Sequence, residues 1–269
     1  MRRIKLVLEY DGTAFHGWQS QKNASAVQDV LAAKLKVLLN EAVAVAGAGR
    51  TDAGVHAYGQ VAAFDSKTDK SMDKIVSGLN GLLPRDIRVR SAEAMPPVFD
   101  PRRDAMGKTY RYTWIDGDSH SPFWRRYSWW SRQALDNRAM AIAAKHLVGE
   151  HDFSSFRAAA CAAKSPVRKM HKVEIRRKGQ RVTLEIHGTA FLQNMVRIVA
   201  GTLFDVGTGK RSPDSVKELL QKKDRKLAGK TAPPEGLVLW QVDYGAIPRP
   251  GRRLKGQPGP ADGDDAGDD

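Results

Sequence analysis

The stretch Val167-Arg168-Lys169-Met170-His171-Lys172-Val173-Glu174-Ile175-Arg176, followed after a Lys178-Gly179-Gln180 turn by Arg181-Val182-Thr183-Leu184-Glu185-Ile186-His187, reads as two strands joined head to tail. Polar and apolar residues alternate in both arms, and a glycine in the connection supplies the turn. Such a pair is antiparallel. At the N-terminus Ile4, Leu6, Leu8 and Tyr10 alternate with Arg3, Lys5, Val7 and Glu9, a second half-buried strand. Further strands are expected at Val43–Ala46, Tyr58–Phe64, Ile87–Ser91, around Tyr110/Tyr112/Trp114, and at Leu239–Tyr244. Helical spacing follows Ser25, where a Ser-x-x-Gln capping box to Gln28 precedes Val27, Val30, Leu31, Leu35, Leu38 and Leu39. Other helices are expected over Met72–Leu83, stopped by Pro84, and over Leu135–Leu147, Ala190–Val206 and Pro213–Gln221. Strand pairs and helices occur without strict βαβ alternation. This pattern predicts an α+β fold with a large, mostly antiparallel sheet and helices packed on one face.

The order of elements repeats loosely, so two pseudo-repeated halves are expected to share that sheet: residues 1–103, with a glycine-rich loop at 47–57, and residues 104–244. Residues 245–269 hold few large aliphatics, and are expected to form a disordered tail, basic first and acidic last. The 269 residues carry a formal net charge of +14, and the tail does not account for it. A field of that sign attracts polyanions, with nucleic acid the leading partner class and an anionic membrane surface second. No apolar run is long enough for a membrane span, and the N-terminus leads into alternation rather than a signal-peptide core. The single Cys161 excludes an internal disulfide framework and a multi-cysteine metal site, so cytoplasm is the expected compartment. The seven histidines never fall at i, i+4 on one expected helix, and no metal is assigned.

The most unusual segment is Gly47-Ala48-Gly49-Arg50-Thr51-Asp52-Ala53-Gly54-Val55-His56-Ala57. Its glycines allow positive φ and close backbone approach, and they bracket an Arg, a Thr and an Asp between apolar strands. Neither common phosphate-loop spacing fits, and a strand rather than a helix follows. An isolated loop of this composition most often has an Asp that bonds only its own backbone.

Gly49-Arg50-Thr51-Asp52-Ala53-Gly54-Val55-His56-Ala57 resembles the signature of the tRNA pseudouridine synthase A family. Further stretches are similar in order: Tyr10-Asp11-Gly12-Thr13 with Phe15, Gly17-Trp18-Gln19; Phe99-Asp100; Lys108-Thr109-Tyr110-Arg111-Tyr112; Asp152-Phe153-Ser154-Ser155-Phe156; Phe191-Leu192 with Met195-Val196-Arg197; and Pro233-Pro234-Glu235-Gly236-Leu237. The resemblance spans residues 3–244. It implies the pseudouridine synthase fold and isomerisation of uridine to pseudouridine at positions 38, 39 and 40 of the tRNA anticodon arm, by a homodimer without a cofactor.

By the same resemblance Asp52 is the catalytic residue. It would attack C1′ of the ribose or C6 of the uracil, or stabilise charge on a glycal route. Arg197 would pair with it, although on a helix over Ala190–Val206 this arginine lies opposite the apolar face, where a solvated side chain is the ordinary outcome. Tyr110 would lie against the uracil, and Arg50 would hold open the stack left by a flipped base or contact a phosphate. Two rival functions remain: a non-catalytic RNA-binding relative, which has no need to keep Asp52, Tyr110 and Arg197 together, and an N-glycoside hydrolase, which would release free uracil.

Overall fold

Alternation at the N-terminus places Ile4, Leu6, Leu8 and Tyr10 on one face of the first strand, and all four are buried. A computed structural model, which describes residues 1–245, carries this strand into a ten-stranded sheet. In chain order the elements are β1 (Arg2–Tyr10), α1 (Val27–Leu39), β2 (Ala46–Gly47), β3 (His56–Ser66), α2 (Met72–Leu82), β4 (Ile87–Met95), β5 (Ala105–Asp116), β6 (Trp129–Ser131), α3 (Asn137–Lys145), β7 (Gly149–Asp152), β8 (Val167–Lys178), β9 (Arg181–Gly188), α4 (Met195–Gly207), α5 (Ser215–Lys222) and β10 (Leu237–Tyr244). The tail expected beyond Gly245 lies outside the described residues.

Strand order is β4-β1-β3-β10-β5-β9-β8-β7, with β2 on β3 and β6 on β5. Among the described residues only β3/β10 and β5/β6 run parallel, so the α+β class and the mostly antiparallel sheet expected from the sequence are both found. β10, last in the chain, lies between strands from either half: Leu239 stands opposite Ala57 on one side and Tyr110 on the other. The Lys178-Gly179-Gln180 turn joins β8 to β9, with Gly179 in the left-handed region.

Helices cover one face of the sheet. Leu6, Leu8, Tyr112, Trp114, Leu184 and Ile186 point toward them and share a single apolar cluster with Leu31, Leu35, Ile75, Leu79, Met140, Ile198 and Leu203. Truncating Leu6 or Leu8 to Ala would cost about 2–5 kcal/mol, because the packed surroundings collapse only partly into the cavity. The opposite face is mostly charged, with a small apolar corner of Ala63, Met95 and Phe99.

Four local expectations are corrected. The capping box does not form: α1 starts at Val27 with Ala26 as its uncapped N-terminal residue. Carbonyls of the preceding loop accept instead, Gly17 from the Val27 amide and Trp18 from the Gln28 amide, both at 3.1 Å. Gln28 is thereby released to bridge Ser20 N–H and the Val45 carbonyl. The third helix is Asn137–Lys145 rather than Leu135–Leu147, because Asp136 caps it by accepting from the Arg138 and Ala139 amides. The fourth starts at Met195, five residues later than expected: Asn194 has φ 59°, which breaks the helix, and the Gln193 carbonyl accepts from Ala158. Around residue 43 only Ala46 and Gly47 pair as a strand.

Candidate active site

Two loops interlock to make the site. Gly17 has φ +90° and a Cβ there would collide with the Thr51 carbonyl, so only glycine lets the 11–18 segment lie against the Asp52 loop. Gly54, at φ +76°, turns the chain after Asp52, and its amide donates to the Phe15 carbonyl at 3.1 Å. Trp18 N–H reaches the Thr51 carbonyl at 3.1 Å, and Val55 N–H closes a turn on the Asp52 carbonyl. Asp52 is therefore displayed on a loop whose backbone is tied at both flanks.

Side chains from the sheet brace the same loop from below. The Tyr10 hydroxyl and Thr51 Oγ1 share a hydrogen bond of 2.7 Å. Gln60 Nε2 donates to the Gly49 carbonyl at 2.9 Å, and Lys108 Nζ donates to the Ala48 carbonyl at 2.8 Å. Burial pushes the Lys108 ammonium down to about 8, with the charge of Arg102 adding to the effect. The sequence assigned Lys108 and Gln60 no role. For Lys108 the available signal was a long cation two residues before Tyr110 on an otherwise apolar-facing strand.

Arg197 comes from the first turn of α4, 145 residues away in the chain, and its NH1 stands 3.3 Å from Asp52 Oδ2. The same guanidinium donates through Nε to the Ala232 carbonyl at 2.8 Å and through NH1 to Asn194 Oδ1 at 3.1 Å. The solvated setting that a helical wheel implies for Arg197 is thus wrong. The 229–232 segment covers that side of α4, so the arginine side chain is only 16% exposed, against 32% for Asp52.

Tyr110 is buried on the helix-facing side of β5, with its ring edge-on to Phe191 at 4.9 Å. Burial raises its hydroxyl far above the ordinary value, and the Tyr10 and Asp52 charges push the same way, so it stays protonated at neutral pH. Tyr10 is pushed up to about 12, also chiefly by burial. Arg50 does not join the cluster: its side chain is exposed and donates to Gln19 Oε1 at 3.2 Å. The segment Pro233–Leu237 closes the site, with Pro234 against Gly54 and the Pro233 carbonyl accepting from the Tyr112 hydroxyl at 2.9 Å.

His56 ends the loop and points to the other face. Its Nδ1 accepts from Gly12 N–H at 3.0 Å, so the ring is neutral, and its 3.3 Å approach to Asp11 is not an ion pair. Burial lowers its pKa, in agreement with that assignment. The Asp152–Phe156 motif lies elsewhere and is structural: Phe153 and Phe156 are buried, and Ser155 Oγ donates to the Leu219 carbonyl of α5 at 2.6 Å. Among the described residues no group of three or more His, Cys, Asp or Glu could hold a metal ion, and no helix is long and apolar enough to cross a membrane. What the cluster can do is present one partly exposed carboxylate, backed by one arginine, next to a protonated phenol.

Comparison with known proteins bears on that chemistry. A family model described as tRNA pseudouridine synthase matches residues 6–102 and 143–245. Proteins named tRNA pseudouridine synthase A are similar over nearly the whole chain. That of Geotalea uraniireducens is 50% identical over 244 residues, covering 91% of this chain and 100% of its own. That of Geobacter sulfurreducens gives the same figures, and that of Myxococcus xanthus is 50% identical over 245 residues, covering 91% of this chain and 92% of its own. Among solved structures, a Cbf5-Nop10-Gar1 complex aligns at 14% identity and a TM-score of 0.34, covering 66% of this chain and 40% of that one.

Proposed function

The chain belongs to the tRNA pseudouridine synthase family, and on that premise we propose that it isomerises uridine to pseudouridine at positions 38, 39 and 40 of the tRNA anticodon stem-loop, with Asp52 as the catalytic carboxylate. The reaction breaks the N1–C1′ glycosidic bond, turns the uracil and joins C5 to C1′. Nothing is oxidised and no group leaves, so a carboxylate suffices and no cofactor is required.

The observation that carries this reading is the contact between Asp52 and Arg197, with Tyr110 beside them. Arg197, fixed by the Ala232 carbonyl and Asn194, holds the Asp52 carboxylate in one orientation. The carboxylate oxygen then serves as nucleophile toward C1′ or C6, or stabilises charge while C2′ loses a proton on a glycal route. Tyr110, neutral and fixed by Phe191, offers a ring face to the uracil and a hydroxyl that donates. A uridine inside a stem exposes neither C1′ nor C6, so the target must be flipped, and Arg50, exposed two residues before Asp52, would occupy the vacated stack or meet a phosphate.

Residues 1–103 and 104–244 act in this reading as two halves meeting at the site, since Asp52 comes from one and Tyr110 and Arg197 from the other. The active form is a cytoplasmic homodimer, and the positive charge serves tRNA. The test is direct: unmodified tRNA is incubated with the protein, and pseudouridine is mapped by carbodiimide-dependent reverse-transcription stops. Stops confined to the anticodon arm support the proposal; release of free uracil without stops refutes it.

A further inference from the structure

Gly12 holds the 11–18 segment against the Asp52 loop at a second point besides Gly17. A Cβ at Gly12 would collide with the Val55 carbonyl, so the backbone of one segment lies directly on that of the other. The Gly12 amide donates to His56 Nδ1 at 3.0 Å, and among the described residues no other group accepts from it. From there the bonds run on toward Asp52. The Gly12 carbonyl accepts from Phe15 N–H at 2.9 Å, the Phe15 carbonyl accepts from Gly54 N–H at 3.1 Å, and Val55 N–H closes the turn on the Asp52 carbonyl at 3.1 Å. His56 is thus tied to the displayed carboxylate twice, once along the chain and once through the 11–18 segment.

The ring is 3% exposed and packs against Tyr127, with 5.0 Å between centroids. Because Nδ1 accepts, the neutral ring carries its proton on Nε2, and that nitrogen is buried with no hydrogen-bond partner among the described residues. A buried N–H without an acceptor is costly, and an apolar side chain of similar size would avoid that cost. What such a side chain could not supply is the acceptor for Gly12. Asp11 and Glu235 are the charges that face the ring, Tyr127 is its other titratable neighbour, and carbonyls of Arg126 and Glu235 turn toward it without reaching hydrogen-bond geometry. Burial outweighs these groups and lowers the pKa of the ring, which keeps it in the accepting form at neutral pH. Protonation would reverse the arrangement: an Nδ1–H cannot accept from Gly12 and would point its proton at Asp11 Oδ1, 3.3 Å away.

We infer that His56 is a positioning residue for the reaction: as a neutral acceptor for the Gly12 amide it holds the 11–18 segment, and through that segment the turn that displays Asp52, in the reactive arrangement. The inference rests on the functional reading above. His56 touches neither Asp52 nor the uridine in this account, and its effect on rate is carried by backbone hydrogen bonds alone.

The experiment compares two variants that both remove the ring and its packing on Tyr127. His56→Asn places an amide oxygen where Nδ1 stands and takes up no proton; His56→Leu fills the space and offers no acceptor. In single-turnover assays on saturated tRNA complexes near neutral pH, His56→Leu should be slower than wild type by about tenfold or more, and His56→Asn should recover most of that loss. The Kd for tRNA should stay at the wild-type value in both. Below the ordinary histidine value of about 6.5 the wild-type rate should fall as His56 takes up its proton, and the His56→Asn rate should lack that limb. Hydrogen exchange reads the tether itself: the Gly12 and Gly54 amides should lose protection in His56→Leu and keep it in His56→Asn. Equal rates for the two variants, an acid limb that persists in His56→Asn, or unchanged protection in His56→Leu overturns the inference. If either variant fails to fold, which circular dichroism would show, the wild-type protein still decides: the NMR titration of the His56 ring should coincide with the acid limb of the rate, and a displacement of about one pH unit or more overturns the inference. Failure of the functional reading is separately visible. Wild-type protein would then form no pseudouridine, and exchange at Gly12 and Gly54 would still show whether His56 holds the segment.

Discussion

The Arg197 guanidinium meets the Asp52 carboxylate at 3.3 Å and is itself fixed by the Ala232 carbonyl at 2.8 Å and by Asn194 at 3.1 Å. The arginine is therefore oriented by groups other than its partner, which preorganises the site before substrate arrives.

Asp52→Asn keeps the size of the side chain and removes its charge. Isomerisation should be lost in single-turnover assays while tRNA affinity stays near wild type. Activity within about tenfold of wild type, equivalent to about 1.4 kcal/mol in barrier, would count against the catalytic assignment.

Arg197→Lys retains a cation but not the planar fork that reaches three acceptors at once. With the hydrogen bond to a charged group worth about 1.5–3 kcal/mol, the rate on bound tRNA should fall about 10- to 100-fold. An unchanged rate would show that Asp52 needs no oriented partner.

Lys108 ties the Asp52 loop to β5 through the Ala48 carbonyl, and burial holds its pKa near 8 against an ordinary 10.5. Between those two values the unfolded chain binds more protons than the native one, so this group's contribution to native stability rises with pH across that window. Lys108→Met removes the contribution. In urea denaturation the stability of wild type relative to the variant should therefore increase from about pH 7.5 to about pH 10, and the variant should turn over more slowly because its loop has lost a tether. A constant difference would place the Lys108 pKa outside the window.

Gly17→Ala should lower both melting temperature and activity. The backbone there sits at φ +90° against the Thr51 carbonyl, so the methyl group brings strain and displaces the Asp52 loop together. Strain of this kind costs about 1–3 kcal/mol. Wild-type turnover would show that the loop relaxes without moving Asp52.

The sequence by itself determined the fold class and most elements, and its motif singled out Asp52 as the carboxylate proposed to be catalytic. Alternation in β1, β8 and β9 needs only a pleated strand with one buried face, which is a local property. Glycines around Asp52 likewise announced a tight loop, and the contiguous motif fixed which carboxylate it displays. Helix starts were less legible. Ala26 and Asn194 begin α1 and α4 because distant or loop carbonyls and a left-handed turn decide them, and no local capping pattern records that.

Only the tertiary structure decided how the site is assembled. Arg197 stands on what a helical wheel makes a polar face, and it is covered because residues 229–232 return across α4. Lys108 and Gln60 support the loop through carbonyls of Ala48 and Gly49, contacts that depend on how β3 and β5 are placed in the sheet and leave no mark in residue type. The charged reverse face was visible in sequence only as an excess of Lys and Arg. Pairing Arg111 with Glu185 and stacking Trp240 on Tyr58, while leaving Lys178 and Arg181 unpaired among the described residues, is settled by strand order and register. Local patterns are set by neighbours along the chain, whereas partners distant in the chain are chosen by packing, and packing is decided by the whole fold at once.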